Sequence, residues 1–198
     1  HYDTSLPGLT VLYPQNMTHQ YVLSATRQWV ESFVIGLNLC PFAKKELVQN
    51  RIRFSITEAT TEVDLLVTLK KELEILEGDK AIETTLLIHP GALDAFTDYN
   101  QFLGLVDELL VSLELEGVFQ VASFHPDYQF AGTHPDDPEN FTNRSPYPTL
   151  HIIREESLER AIEQYPDVGH IPERNIELMN QMGVEKLSAM LKSMYLAE

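Results

Sequence analysis

Residues 84–126 read TTLLIHPGALDAFTDYNQFLGLVDELLVSLELEGVFQVASFHP. Two short apolar runs, Thr84–His89 and Val118–Phe124, bracket this stretch, and each ends in His-Pro. Runs of this length bounded by Gly and Pro read as strands. Between them Phe96, Tyr99, Phe102, Leu103, Val106, Leu109, Leu110 and Leu113 recur at helical spacing. The spacing predicts a helix from about Leu93 to Glu116, bent near Gly104 and stopped by Gly117. Strand, helix, strand is the crossover unit of a parallel sheet. Parallel strands would bring His89 and His125 out at one edge, the carboxyl edge where open α/β sheets bind ligands. Proline also ends strands for purely local reasons, so the repeat has a plain reading as well.

Upstream, Val22, Ala25, Trp29, Phe33 and Leu37 follow a helical period, with Val30 and Val34 widening the face. Pro41 is suited to open a short second helix through Leu47. Arg51–Thr57 alternates, with Ile52, Phe54 and Ile56 on one face, and reads as a strand. Thr61 caps a helix that runs to Glu77 and stops at Gly78. Downstream, Thr149–Ile153 is a fourth strand with no helix before it, which allows it to run antiparallel. Two helices close the chain, Glu156–Tyr165 and about Glu173–Leu196, separated by Pro166, Gly169 and Pro172. The expected architecture is α/β: one domain over residues 17–198, with a small mixed, mostly parallel sheet of about four strands and packed helices. Residues 1–16 show no period and contain Pro7, Gly8 and Pro14, so they read as a flexible leader or expression remnant.

The chain has 198 residues, of which 43% are hydrophobic, enough for a real core. No apolar run is long enough to span a bilayer. Cys40 is the only cysteine, which excludes an internal disulfide and fits a reducing, cytoplasmic compartment. The formal net charge of −16 repels nucleic acid and anionic membranes, so neither is expected as a partner. Nothing in the sequence fixes an oligomeric state or a cofactor.

Chemistry concentrates in Phe124–Glu155, FHPDYQFAGTHPDDPENFTNRSPYPTLHIIRE. Polar loops this long inside a domain are either functional or disordered. The anchors Phe124, Tyr128, Phe130, Phe141 and Tyr147 favour order. Arg144 is the first cation after Lys80 in a strongly acidic span. It suits either an ion pair with Asp136, Asp137 or Glu139, or a small anionic ligand gripped by two hydrogen bonds. Asn140, Asn143 and Ser145 would either line that anion pocket or pin the loop through backbone bonds. His-Pro-Asp occurs twice, at 125–127 and 134–136; imidazole with carboxylate suits a metal, yet Asp-Pro strings are ordinary turn formers. Cys40, beside Pro41 and followed by Lys44 and Lys45, reads as a helix-start thiolate nucleophile or as a small buried hydrophobe. His151, mid-strand, reads as a general base or a hydrogen-bonded core residue.

The strings LNLCPFA (37–43), SFHPDYQFAGT (123–133) and ENFTNRSPYPTLHIIREESLERAI (139–162) resemble a bacterial family catalogued as domain of unknown function 1415. The resemblance covers most of the chain from Met17 onward. The matching positions include Cys40, Pro41, Phe42, His125, Pro126, Asp137, Asn140, Asn143, Arg144, Ser145, Pro146 and His151. His89 and His134 lie outside the pattern. The resemblance implies a soluble, cytoplasmic, single-domain protein and carries over no catalytic residues.

Together these readings lead to a small-molecule enzyme acting on an anionic substrate. His125 would be general acid/base, Cys40 nucleophile, Asp137 the orienting carboxylate and His151 a second base or orienter. Asn140, Asn143, Arg144 and Ser145 would hold the anion. Two alternatives stay open: a non-catalytic ligand-binding or interaction protein, and a metal-dependent enzyme using His125, Asp137 and His151.

Overall fold

The computed structural model describes residues 15–195. The leader expected over residues 1–16 lies outside them, apart from Gln15 and Asn16, which open the first helix. Four strands, β1 (Ile52–Ile56), β2 (Thr84–Ile88), β3 (Phe119–Phe124) and β4 (Thr149–Arg154), form one sheet in the order β1-β2-β4-β3. Only β1 and β2 pair in parallel; β4 runs antiparallel to both β2 and β3. The sheet is therefore mixed but mostly antiparallel, which corrects the mostly parallel expectation. The reason is local: β4 follows a loop rather than a crossover helix, so it inserts between β2 and β3 in the reverse sense.

Because β2 and β3 both oppose β4, they point the same way without touching. Alternation along the strands then splits the core in two. On one face Leu87, Leu150 and Ile152 pack against α3 (Glu62–Gly78) and α4 (Phe96–Ser112), with Leu65, Leu69, Leu73, Tyr99, Phe102 and Val106 fully enclosed. On the other face Leu86 and Phe54 meet α1 (Gln15–Gln28), α6 (Ile171–Met182) and α7 (Val184–Met194) through Trp29, Phe33, Phe141, Met179 and Leu187. The short α2 (Ala43–Val48) and the amphipathic α5 (Glu155–Gln164) complete the chain.

Three boundaries depart from the periodicity. The first helical stripe continues past α1 as a π-helix over Trp29–Ile35. Trp29 and Phe33 stay on the buried face, so the apolar spacing does not reveal the wider turn. A Cβ at Gly36 would collide with the Ser32 carbonyl, so the segment ends on the one residue that fits. The α4 helix is continuous through Gly104 but starts only at Phe96, because Leu93 sits in the left-handed region at φ 61°. The last predicted helix is two helices, divided at Gly183 with φ 80° and ψ 159°.

Polar groups fix the helices to the sheet. Thr61 accepts the Asp64 N–H at 3.1 Å and caps α3. Midway along α3 the buried Glu72 receives Arg53 Nε at 2.8 Å and Ser55 Oγ at 2.7 Å from β1. At its far end Arg154 of β4 donates to the Leu76 carbonyl, one of those a helix terminus leaves unpaired, and to the carbonyls of Asp79 and Ile82 in the turn beyond. No helix among the described residues is long and apolar enough to cross a membrane.

Candidate functional site

The two His-Pro sequences do emerge at one sheet edge, on either side of the chain entering β4. His89 N–H donates to the Pro148 carbonyl at 3.0 Å, and His125 N–H donates to that of Asn143 at 3.2 Å. Both rings then turn onto the same loop, residues 89–95. His89 Nδ1 lies 2.9 Å from the Ala92 carbonyl and His125 Nε2 lies 3.0 Å from that of Leu93. A nitrogen facing a carbonyl must carry the proton. His125 Nδ1 accepts the Asp127 N–H at 3.0 Å, which fixes the same tautomer independently. Between the rings stands Tyr99, at centroid separations of 5.9 Å and 5.0 Å. Its hydroxyl donates to the Thr149 carbonyl at 2.7 Å and accepts the Phe124 N–H at 3.0 Å. Both histidines are fully buried. Burial pushes the His89 pKa down to about 4, against the pull of the Ala92 carbonyl. Burial also lowers that of His125, opposed by the Leu93 carbonyl and the charges of Asp127 and Asp94. Two neutral imidazoles thus clamp successive carbonyls of one loop.

The polar segment that follows is built from its own side chains. Asn140, fully buried, accepts the Phe130 N–H at 2.9 Å and donates to the His134 carbonyl at 2.8 Å. Asp137 accepts the His134 N–H at 2.8 Å. Asn143 donates to Ser123 at 3.0 Å, and Ser145 Oγ to Tyr147 at 2.7 Å. The repeated tripeptide resolves into a repeated turn. Asp136 N–H donates to His134 Nδ1 at 3.2 Å, as Asp127 N–H does to His125. Among the described residues no three His, Cys, Asp or Glu side chains gather as a metal site.

Arg144 crosses this segment. Its Nε donates to the Tyr128 carbonyl at 3.0 Å and Nη2 to that of Pro135 at 2.8 Å, while Cζ lies 4.5 Å from the Phe141 ring centroid. Neither Asp136, Asp137 nor Glu139 pairs with it; carbonyls hold the guanidinium instead. Burial lowers its pKa, and the fields of Asp127 and Asp136 act in the opposite sense. Among the described residues Nη1 makes no hydrogen bond.

A family model described as "Protein of unknown function (DUF1415)" matches residues 21–189. The chain belongs to this family. No curated protein and no solved structure matches it. The matched span contains every candidate residue named above, from Cys40 to His151.

Two candidates stand apart from the histidine edge. Cys40 lies in the turn between the π-helix and α2, which begins at Ala43 rather than Pro41. Burial raises its thiol pKa, and the N–H groups of Phe42 and Ala43 offset this only in part. Among the described residues it shares no hydrogen bond with a histidine. A hollow of about 330 Å³ opens beside this turn, between Leu37–Asn38 and the Arg174, Glu177, Leu178 and Gln181 side of α6. His151 points from mid-β4 to the Trp29–Phe33 face. Thr84 Oγ donates to the Ile152 carbonyl at 2.5 Å and so receives His151 Nε2–H at 2.7 Å. The ring keeps some accessible surface, yet protein encloses it closely enough to push its pKa down to about 4. Across the ladder it faces Ala122, three residues before His125, roughly 10 Å along the strand.

Tyr99 carries this geometry and was not among the sequence candidates, while Asp127 entered them only through the His-Pro-Asp metal reading and acts here through its backbone N–H. Tyr99 read as one more apolar position of α4, but a buried tyrosine hydroxyl needs a partner, and that requirement was the available signal.

Proposed function

We propose that this chain is a non-catalytic binding protein for a small anion, received by Arg144. The supporting observation is a partly buried guanidinium held by two carbonyls and one aromatic face, with no carboxylate of the described residues in ion-pair reach. The chain has 30 Asp and Glu against 14 Lys and Arg, so a shortage of acids does not explain the missing partner. Buried charges are ordinarily paired. Bonds at Nε and Nη2 fix the guanidinium while Nη1 makes none among the described residues, an arrangement that reduces the entropy cost of binding. In this reading His125, Asn140, Asn143, Asp137 and Ser145 build the receptor and do not react. Cys40 has no base beside it among the described residues, and burial favours its neutral thiol.

The test is side-chain NMR of the arginine Nε–H groups during titration of the full chain with propionate. A saturable shift of the Arg144 resonance by about 100 mM, where even a millimolar site fills, is the expected result. The reading fails if Arg144 does not shift, or if all arginines drift together.

A further inference from the structure

The ligand class can be taken one step further, resting on the Arg144 reading. The two carbonyls that the guanidinium grips belong to Tyr128, the residue after Asp127, and Pro135, the residue before Asp136. Each bond that fixes the cation therefore also fixes an aspartate-bearing turn beside it. The Asp127 backbone is held a second time by His125 Nδ1. Both aspartate side chains are exposed. Asp136 has the exposed His134 ring 3.7 Å away, whereas the Asp127 carboxylate has no hydrogen-bond or ion-pair partner among the described residues. Asp127 and Asp136 thus lie near enough for their charges to act on the guanidinium, and neither forms an ion pair with it. Such a placement favours an anion that carries a cation at its far end over a simple anion, which both aspartates repel.

We propose that the site takes an amino carboxylate, with its carboxylate on the Nη1 edge of Arg144 and its ammonium on Asp127. Recognition would be by charge separation, and the chain length between the two groups would set the preference.

Calorimetric titration of the full chain tests this, using propionate, ethylamine and a series from glycine to aminohexanoate. At least one amino carboxylate should bind about ten-fold tighter than propionate. In Asp127→Asn, a change at an exposed and unpartnered carboxylate, the two affinities should converge from both sides. The amino carboxylate weakens as its ammonium loses its partner, and propionate strengthens as a repelling charge is removed. An amino carboxylate no tighter than propionate, or an advantage that survives Asp127→Asn, overturns the ligand class while leaving the anion reading intact. Ethylamine binding as tightly as the best amino carboxylate overturns it too. If neither propionate nor any amino carboxylate binds, both readings fall.

Discussion

Acid should destabilise this fold through His89, and the size of the effect follows from its environment. The ring is fully buried, its Nδ1–H is committed to the Ala92 carbonyl, and its buried Nε2 meets no donor among the described residues. The native pKa is therefore pushed from 6.5 down to about 4. Above pH 6.5 the ring is neutral in both folded and unfolded chains and costs nothing. As pH falls below 6.5 the unfolded chain takes up a proton that the native state refuses, so stability drops until native His89 itself protonates near pH 4. The gap corresponds to about 3 kcal/mol, an order-of-magnitude figure at 1.36 kcal/mol per pH unit. Carboxylates titrate in the same window, so the measurement is a difference. Urea unfolding of wild type and His89→Asn is followed from pH 7 to pH 4.5. Asparagine can place its Nδ2 near the Nδ1 position and keep the Ala92 bond, but it does not titrate. The wild type should lose stability more steeply than the variant between pH 6.5 and 4.5. Parallel curves would refute a buried neutral His89, and with it the clamp on residues 89–95.

Tyr99→Phe removes the hydroxyl shared by the Thr149 carbonyl and Phe124 N–H, leaving both inside the fold; a loss of about 1–3 kcal/mol in urea unfolding is expected. Gly36→Ala forces a Cβ against the Ser32 carbonyl at the end of the π-helix, so the melting temperature should fall, by an amount reflecting about 1–3 kcal/mol of overpacking. Arg154→Met uncaps α3 at Leu76 and frees the Asp79 and Ile82 carbonyls of the turn that follows, and hydrogen exchange should quicken in the last turn of α3 before it does elsewhere. Cys40 should react with a disulfide reagent more slowly at pH 7 than a free cysteine, because burial disfavours its thiolate.

The elements were legible because their signals are local. The alternation at 51–57, the Thr61 cap and the Gly78 stop each depend on a few neighbouring residues, and each holds within a residue or so. Strand direction was less legible. Whether β4 pairs forward or backward depends on how residues 125–148 return the chain, and no periodicity encodes that. The π-helix escaped for a different reason: a buried stripe at 29 and 33 satisfies either helical geometry. In the polar segment the residue types were visible but their roles were not. Histidine and aspartate two apart look the same in a turn and in a metal site. Only the direction of the Asp127 and Asp136 N–H groups, both toward a histidine Nδ1, separates the two.

That separation changes how the segment should be understood. A continuous line of hydrogen bonds runs from the Leu93 carbonyl through the His125 ring to the Asp127 N–H, and from the Tyr128 carbonyl to Arg144. It joins the loop after β2 to the loop after β3 at the one edge where both strands end. His125 cannot give or take a proton in this arrangement without breaking a bond at one end: protonation displaces Asp127, and deprotonation of Nε2 releases Leu93. An imidazole so placed is poorly suited to shuttling protons and well suited to transmitting position. Leu93 is itself held at a positive φ, a conformation that costs free energy and persists only where its surroundings impose it. On the proposed reading, a ligand that steadied the Tyr128 turn through Arg144 would also steady Leu93, through a ring whose two bonds require it to stay neutral.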